Sequence, residues 1–252
     1  MDDELQKGWC ELNTPMPAFR WIMKQTWEHF LFAHWPVPVE AIRSFVPEAL
    51  DIDTWDGQAW VGILPFRLGG IRLKYMPSLP WMRSFPEINV RTYIRSGEES
   101  AIFFLSMDAS HPLLVPVAKQ WYRLPYHQAK MRFRADGRTI AVQSRRRSAS
   151  LPEEAFCATY HPVSAPFAAR QGTIEYWLME RYVYYCRCGR SGGLYRGEVH
   201  HAPWELRTAE ADLSCHALTR GFGLELGTPA LLHYSRGTRA LIGPRSKAWN
   251  QP

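Results

Sequence analysis

The chain has 252 residues, 46% of them hydrophobic and 21% charged, with a formal net charge of +6. That length and apolar content suffice for one domain with a full core, and apolar runs as short as Ala101 to Leu105 and Leu113 to Ala118 exclude a membrane-crossing helix, which needs roughly 20 residues. The positive charge comes with no nucleic-acid-binding motif, so no nucleic-acid partner is expected.

The chain opens Met1-Asp2-Asp3-Glu4, acidic where a secretory leader would be basic, and a cytoplasmic protein is expected. Residues 1–18 read as an N-terminal extension, residues 19–243 as the domain and residues 244–252 as a C-terminal tail. Thr26 to Trp35 is rich in aromatics and reads as the first strand, stopped by Pro36-Val37-Pro38. A short helix follows, with Pro38 at its start and Ala41, Ile42, Phe45 and Val46 at helical spacing. Asp51 to Trp55 and Gln58 to Phe66 flank Asp56-Gly57, a dipeptide that tolerates the positive φ of a tight hairpin turn. Ile88 to Arg95 and Ala101 to Asp108 are two further strands joined by Ser96-Gly97-Glu98-Glu99.

A short helix is predicted over Val115 to Tyr122. Tyr126 to Arg134 and Arg138 to Arg145 then form a second hairpin around Asp136-Gly137, with alternation on both arms. Ile174 to Arg181 reads as a helix with Thr173 as its cap and Glu175 near its positive end. Strand propensity returns at Tyr182 to Tyr185, breaks at Gly192-Gly193, and recurs over Leu194 to Val199, Trp204 to Ala211 and Leu231 to Tyr234. Roughly ten strands with about three short helices predict a mainly β (α+β) fold: a curved antiparallel sheet able to close on itself.

Side-chain alternation sorts the candidate site residues. In Ile88 to Ile94, the residues Ile88, Val90, Thr92 and Ile94 form an apolar face, and Glu87, Asn89, Arg91 and Tyr93 a polar one. On the Tyr126 strand, His127, Ala129, Met131 and Phe133 oppose Tyr126, Gln128, Lys130 and Arg132. Two arrangements satisfy this pattern. The polar faces meet solvent, as in many antiparallel sheets, or the sheet closes and Glu87, Arg91, Tyr126 and Lys130 line a cavity.

Other chemistries are poorly supported. Five cysteines (Cys10, Cys157, Cys186, Cys188 and Cys215) lack a disulfide framework and read as reduced thiols. Cys186 and Cys188 share a strand face, but the adjacent His200 and His201 point oppositely, so a four-ligand metal site is not expected. His29 and His34 read as structural, packed among Trp27, Phe30, Phe32 and Trp35. No nucleophile elbow is present, and Gly221-Phe222-Gly223 with Gly227 misses the dinucleotide fingerprint. No cofactor is expected.

Several ordered segments carry a resemblance: Phe32-Ala33-His34-Trp35-Pro36-Val37-Pro38, Asp53 to Gly62, Phe85 to Tyr93, Leu124-Pro125-Tyr126, Glu180-Arg181-Tyr182, His201-Ala202-Pro203-Trp204 and Leu232 to Arg236. Together they resemble the uncharacterised YqjF-like family over residues 20 to 243. That family is similar in fold to acetoacetate decarboxylase, which implies a cone-like barrel around a small, mostly apolar cavity. In the decarboxylase a lysine after a proline forms a Schiff base, and a second lysine lowers its pKa. Here the corresponding stretch is Leu124-Pro125-Tyr126-His127, and both lysines are missing.

A phenol cannot form an imine, so covalent decarboxylation does not carry over; Tyr126 can still donate a hydrogen bond or act as a weak acid. Three functions remain. One is a small-molecule binding protein with Arg91 and Lys130 as ligand contacts. Another is an enzyme acting on a small carboxylated or carbonyl compound, with Tyr126 as acid, Glu87 as base and Arg91 as carboxylate anchor. The last is a structural or partner-binding domain with a filled core. The resemblance also implies assembly of several copies, by analogy alone.

Overall fold

The computed structural model describes residues 20–77, 84–146, 155–187, 193–214 and 216–249. The N-terminal extension over residues 1–18, and Arg147, Cys188, Gly192 and Cys215, lie outside them. The aromatic run expected as the first strand is the centre of a longer one, β1 (Met23–Val37), which Pro38 terminates ahead of α1 (Val39–Arg43). The chain continues through β2 (Asp51–Ile52), β3 (Ala59–Leu73), β4 (Phe85–Ser96), β5 (Glu99–Ala109) and α2 (Leu114–Val117), which runs into a π-helical turn over Ala118–Tyr122. Then come β6 (Tyr126–Asp136), β7 (Thr139–Arg146), β8 (Ala155–Pro162), β9 (Phe167–Ala168) and α3 (Ile174–Met179). The last elements are β10 (Val183–Arg187), β11 (Leu194–His201), β12 (Glu205–Ser214), α4 (His216–Thr219), β13 (Leu231–Ile242) and β14 (Ser246–Trp249).

Two strands share their edges, and this gives the curved sheet its shape. β5 pairs with β4 along one edge, while its other edge gives Ile102 and Phe103 to β10 and Met107 to Ala109 to β6. β13 pairs with β1 along one edge and divides the other between β12, at His233 and Tyr234, and β11, at Ala240 to Ile242. Followed from strand to strand, the pairings return to their start by a long path through β6, β7, β8 and β12 and by a short path through β10 and β11. Both paths share β13, β1, β3, β4 and β5.

The shared strands are therefore buried on both faces, and two core clusters lie on their opposite sides. One contains Leu31, Ala33, Ile63, Val90, Phe103, Ile140 and Tyr160. The other contains Phe30, Phe32, Leu64, Phe66, Tyr93, Met107, Tyr126 and Trp204. This two-sided burial explains why Ala59 to Phe66 reads as a continuous apolar run with no polar alternation.

The structure departs from the sequence expectations in several places. The sheet is not wholly antiparallel, because β5 pairs in parallel with both β6 and β10; the helical link from β5 to β6 makes that geometry reachable. Asp51–Ile52 pairs with Ile94 and Arg95 of β4, leaving no hairpin with β3. Asp56-Gly57 still forms a tight turn, with φ of 50° and 75° and Trp55 bridged to Gln58, as the sterics of that dipeptide require. In the β6–β7 hairpin, Asp136 pairs with Thr139, so the turn is Gly137-Arg138, one residue later than read. β8 was not anticipated, and Ser246–Trp249, read as tail, forms an edge strand on β11. Among the described residues no helix is long and apolar enough to cross a membrane.

One buried ion pair ties β7 to β5 across β6. Arg146, 4% exposed, donates through Nε to Asp108 Oδ1 at 2.9 Å and reaches Ser106 Oγ at 3.1 Å. Removing one partner of such a pair strands the other charge. Arg146→Met is expected to lower unfolding free energy by about 3–5 kcal/mol in urea titrations. Arg95→Met, at the exposed Arg95–Glu98 pair, should cost less than about 1 kcal/mol.

Candidate functional site

Alternation along β4 sends Phe85, Glu87, Asn89, Arg91 and Tyr93 to the face enclosed by the shorter path of strands. Glu87 is 2% exposed, Asn89 and Tyr93 are buried and Arg91 is half-buried. The solvent-facing reading of this row is thus overturned for β4. On β6 the outcome changes along the strand. Tyr126 stands opposite Met107 of β5 and is buried, but the pairing with β5 ends at Gln128, and Lys130 and Arg132 are exposed. Lys130 therefore does not join the interior residues, and its expected role as a ligand contact has no support in the geometry.

Tyr126 and Glu87 come together as the sequence suggested. Tyr126 Oη donates to Glu87 Oε2 at 3.0 Å, and the Asn89 amide also hydrogen-bonds the carboxyl. Burial nevertheless dominates and pushes the Glu87 pKa up to about 8, against the opposing pull of these two donors. The Tyr126 phenol is pushed well above its usual range by burial first and by Glu87 second. At neutral pH the pair is accordingly a protonated carboxyl beside a neutral phenol. Glu87 is not a free carboxylate base there, and Tyr126 is a weaker acid than a solvated tyrosine. Asn89 Oδ1 is buried without a partner.

A second group lies further along β4. Register sets His34 of β1, Gly62 of β3 and Arg91 of β4 in one row. A Cβ on Gly62 would lie 3.1 Å from the His34 ring, so the missing side chain lets the imidazole cross β3 toward β4. His34 Nε2 reaches Tyr93 Oη at 2.7 Å, and Arg91 Nε donates to the same oxygen at 3.3 Å. Arg91 also donates to the Leu178 carbonyl of α3 at 3.1 Å. Arg181, following α3, donates to Trp177 O at 2.6 Å and to Asp53 Oδ2 at 2.8 Å. His34, fully buried, is held well below the usual imidazole range by desolvation and then by Arg91, and is neutral.

The structure thus joins Glu87 to Tyr126 but gives Arg91 other partners, Tyr93 and Leu178. The single site imagined for these three residues is divided. Sequence reasoning missed His34, read as merely packed, and the Arg181–Asp53 pair. A signal was present in the quoted segments, since His34, Asp53, Arg91, Tyr93 and Arg181 each belong to one of them. His201 points inward, 3% exposed, with burial lowering its pKa to about 4. Among the described residues no group of three or more metal-ligating side chains is placed to hold an ion.

Comparison with known proteins agrees with this architecture. The model of DUF2071, an uncharacterized conserved protein family, matches residues 24–239. The uncharacterized protein YqjF of Bacillus subtilis (strain 168) is 42% identical over 236 residues, 93% of this chain and 96% of the relative. Among solved structures, acetoacetate decarboxylase from Legionella pneumophila superposes with a TM-score of 0.65 at 13% identity, covering 92% of this chain and 91% of that one. The enduracididine biosynthesis enzyme MppR, complexed with pyruvate, gives 0.59 at 8% identity, covering 94% and 95%. At such identities the likeness is one of fold.

The Glu87 shift makes stability depend on pH. Between its ordinary value of 4.5 and about 8, the unfolded chain ionises this carboxyl while the folded chain keeps it protonated. Rising pH then weakens the fold by up to about 1.4 kcal/mol per unit from this group. Glu87→Gln removes that slope, so the stability of the variant relative to the parent should rise from pH 5 to pH 8 in chemical denaturation. A difference independent of pH would contradict the assignment.

Proposed function

The chain belongs to the DUF2071 family, and on that premise we propose that it binds a small carbonyl- or hydroxyl-bearing molecule non-covalently against Glu87 and Tyr126. The observation that carries this reading is the buried 3.0 Å bond between a phenol and a carboxyl that burial keeps protonated. With the phenol proton given to Glu87 Oε2, the protonated carboxyl keeps one O–H to donate to an acceptor oxygen, without the desolvation cost of a charge. Phe66, directly opposite Glu87 on β3, and Met107, opposite Tyr126 on β5, supply apolar walls of the sort small-ligand sites use. The decarboxylase-like fold, with one neighbour complexed with pyruvate, supports a small ligand. Tyr126 stands where the resemblance implies a Schiff-base lysine, which supports a non-covalent mode.

A second reading, an enzyme using acid-base chemistry, is favoured by one observation. A carboxyl with a pKa of about 8 can exchange its proton near neutral pH, as a general acid must. In that reading Glu87 is the proton donor and Tyr126 positions it, which reverses the roles the sequence suggested.

Acetone and pyruvate serve as probes. Borohydride treatment with either should leave the intact mass unchanged, whereas a trapped adduct on any lysine would defeat the non-covalent reading. In ligand titrations followed by NMR, Tyr126→Phe should weaken acetone binding by roughly 2- to 10-fold, the worth of the one hydrogen bond that holds the Glu87 carboxyl in place; equal affinity would sink the proposal. Deuterium uptake at the acetone methyls in D2O, lost in Glu87→Gln, would select the enzymatic reading over simple binding. In that exchange the ionised fraction of Glu87 takes a methyl proton and returns a deuteron to the same carbon.

A further inference from the structure

Beneath α3 the interior has a surplus of positive charge and of hydrogen-bond donors. Arg91 and Arg181 each place a guanidinium carbon 5.4 Å from the centroid of the Tyr93 ring, and Arg181 lies 4.6 Å from that of Trp177. Asp53 pairs with Arg181, and Arg91 has no carboxylate partner among the described residues. The imidazoles of His34 and His201 are neutral there. Two buried or half-buried cations thus face one carboxylate.

The unsatisfied atoms point the same way. Arg181 Nη2, Trp60 Nε1 and His34 Nδ1 are buried with no partner, on residues that are 6%, 7% and 0% exposed. Trp60 sits two residues from Gly62 on the same face of β3, and its neighbour Val61 pairs with Thr92, which places Trp60 beside Tyr93. Arg91 Nε can only donate to Tyr93 Oη, and that oxygen can either give its own proton to His34 Nε2 or accept from it, so His34 Nδ1 is a donor in one tautomer and an acceptor in the other. Arg181 Nη2 and Trp60 Nε1 are donors whichever tautomer His34 adopts, and buried donors left unmade are costly. What they lack is an acceptor.

We propose that a small monocarboxylate binds beneath α3 between Arg91 and Arg181, its oxygens accepting from these guanidiniums and Trp60 Nε1. A planar two-oxygen anion matches the guanidinium fork and neutralises the unpaired cation. The rings of Tyr93 and Trp177 lie against the two guanidiniums, which favours a compact ligand. Arg91 lies four residues from Glu87 on β4, about 13 Å along the strand. The site is thus separate from the Glu87–Tyr126 pair and stands without it.

The test uses the full-length chain, with sodium acetate as probe and acetamide and sodium chloride as controls at matched ionic strength, followed by tryptophan fluorescence and thermal shift. Acetate should bind saturably, with neither control reproducing its effect. Arg91→Met should weaken acetate at least tenfold, and Trp60→Phe, which keeps an aromatic ring but removes the N–H, severalfold. Tyr126→Phe should leave acetate affinity unchanged. An equal response to acetamide or chloride would overturn the proposal. So would wild-type acetate affinity in Trp60→Phe with its circular dichroism intact, a readout that holds even if Arg91→Met folds poorly. Loss of acetate binding in Tyr126→Phe would refute the separateness of the two sites.

Discussion

One strand edge, that of β5, is asked to serve two partners, and the arrangement of the interior follows from how it is divided. Ile102 and Phe103 pair with β10, and Met107 to Ala109 pair with β6. Because β6 takes only the last residues of β5, its first side chain, Tyr126, enters the space behind β4, and the rest of the strand departs. Alternation alone would have given Tyr126 and Lys130 the same surroundings. The divided edge buries the phenol and leaves the ammonium in water, which is the less costly choice for each group.

Behind that edge, β4 carries a polar row into an interior otherwise lined with Phe30, Phe32, Phe66 and Trp204. Its two ends differ in charge. At one end, burial holds Glu87 protonated beside Tyr126, so the pair is neutral at physiological pH. At the other, Arg91 and Arg181 remain cationic, fixed by Tyr93, Leu178 and Asp53. A neutral carboxyl O–H held by the phenol suits a carbonyl or hydroxyl oxygen, and a cationic pair with spare donors suits a carboxylate. Under the two proposals, each end of the row accordingly takes a different ligand oxygen chemistry.

Much of this was legible in the sequence because it rests on local rules. Period-two alternation placed Glu87, Asn89, Arg91 and Tyr93 on one face, and proline and the Asp56-Gly57 dipeptide marked the ends of β1 and the turn before β3. The family resemblance came from short segments that meet in space, with His34, Asp53, Arg91, Tyr93 and Arg181 converging beneath α3. Other features depended on pairings between distant strands. Nothing in the β6 segment states that β5 releases it after Gln128, so Lys130 was grouped with Tyr126. His34 reads as one more aromatic-flanked residue until the register brings Gly62 between it and Tyr93. The parallel pairings of β5 and the edge strand β14 are likewise non-local.

The central claim is that Glu87 is a neutral, buried carboxyl hydrogen-bonded to Tyr126. Carbon-13 NMR of the glutamate side-chain carboxyls, with Glu87 assigned by its loss in Glu87→Gln, measures its ionisation directly. The account predicts a titration midpoint near 8, moving further upward when Tyr126→Phe removes the donor that favours the charged form. A midpoint near the ordinary value of 4.5, insensitive to Tyr126, would contradict it.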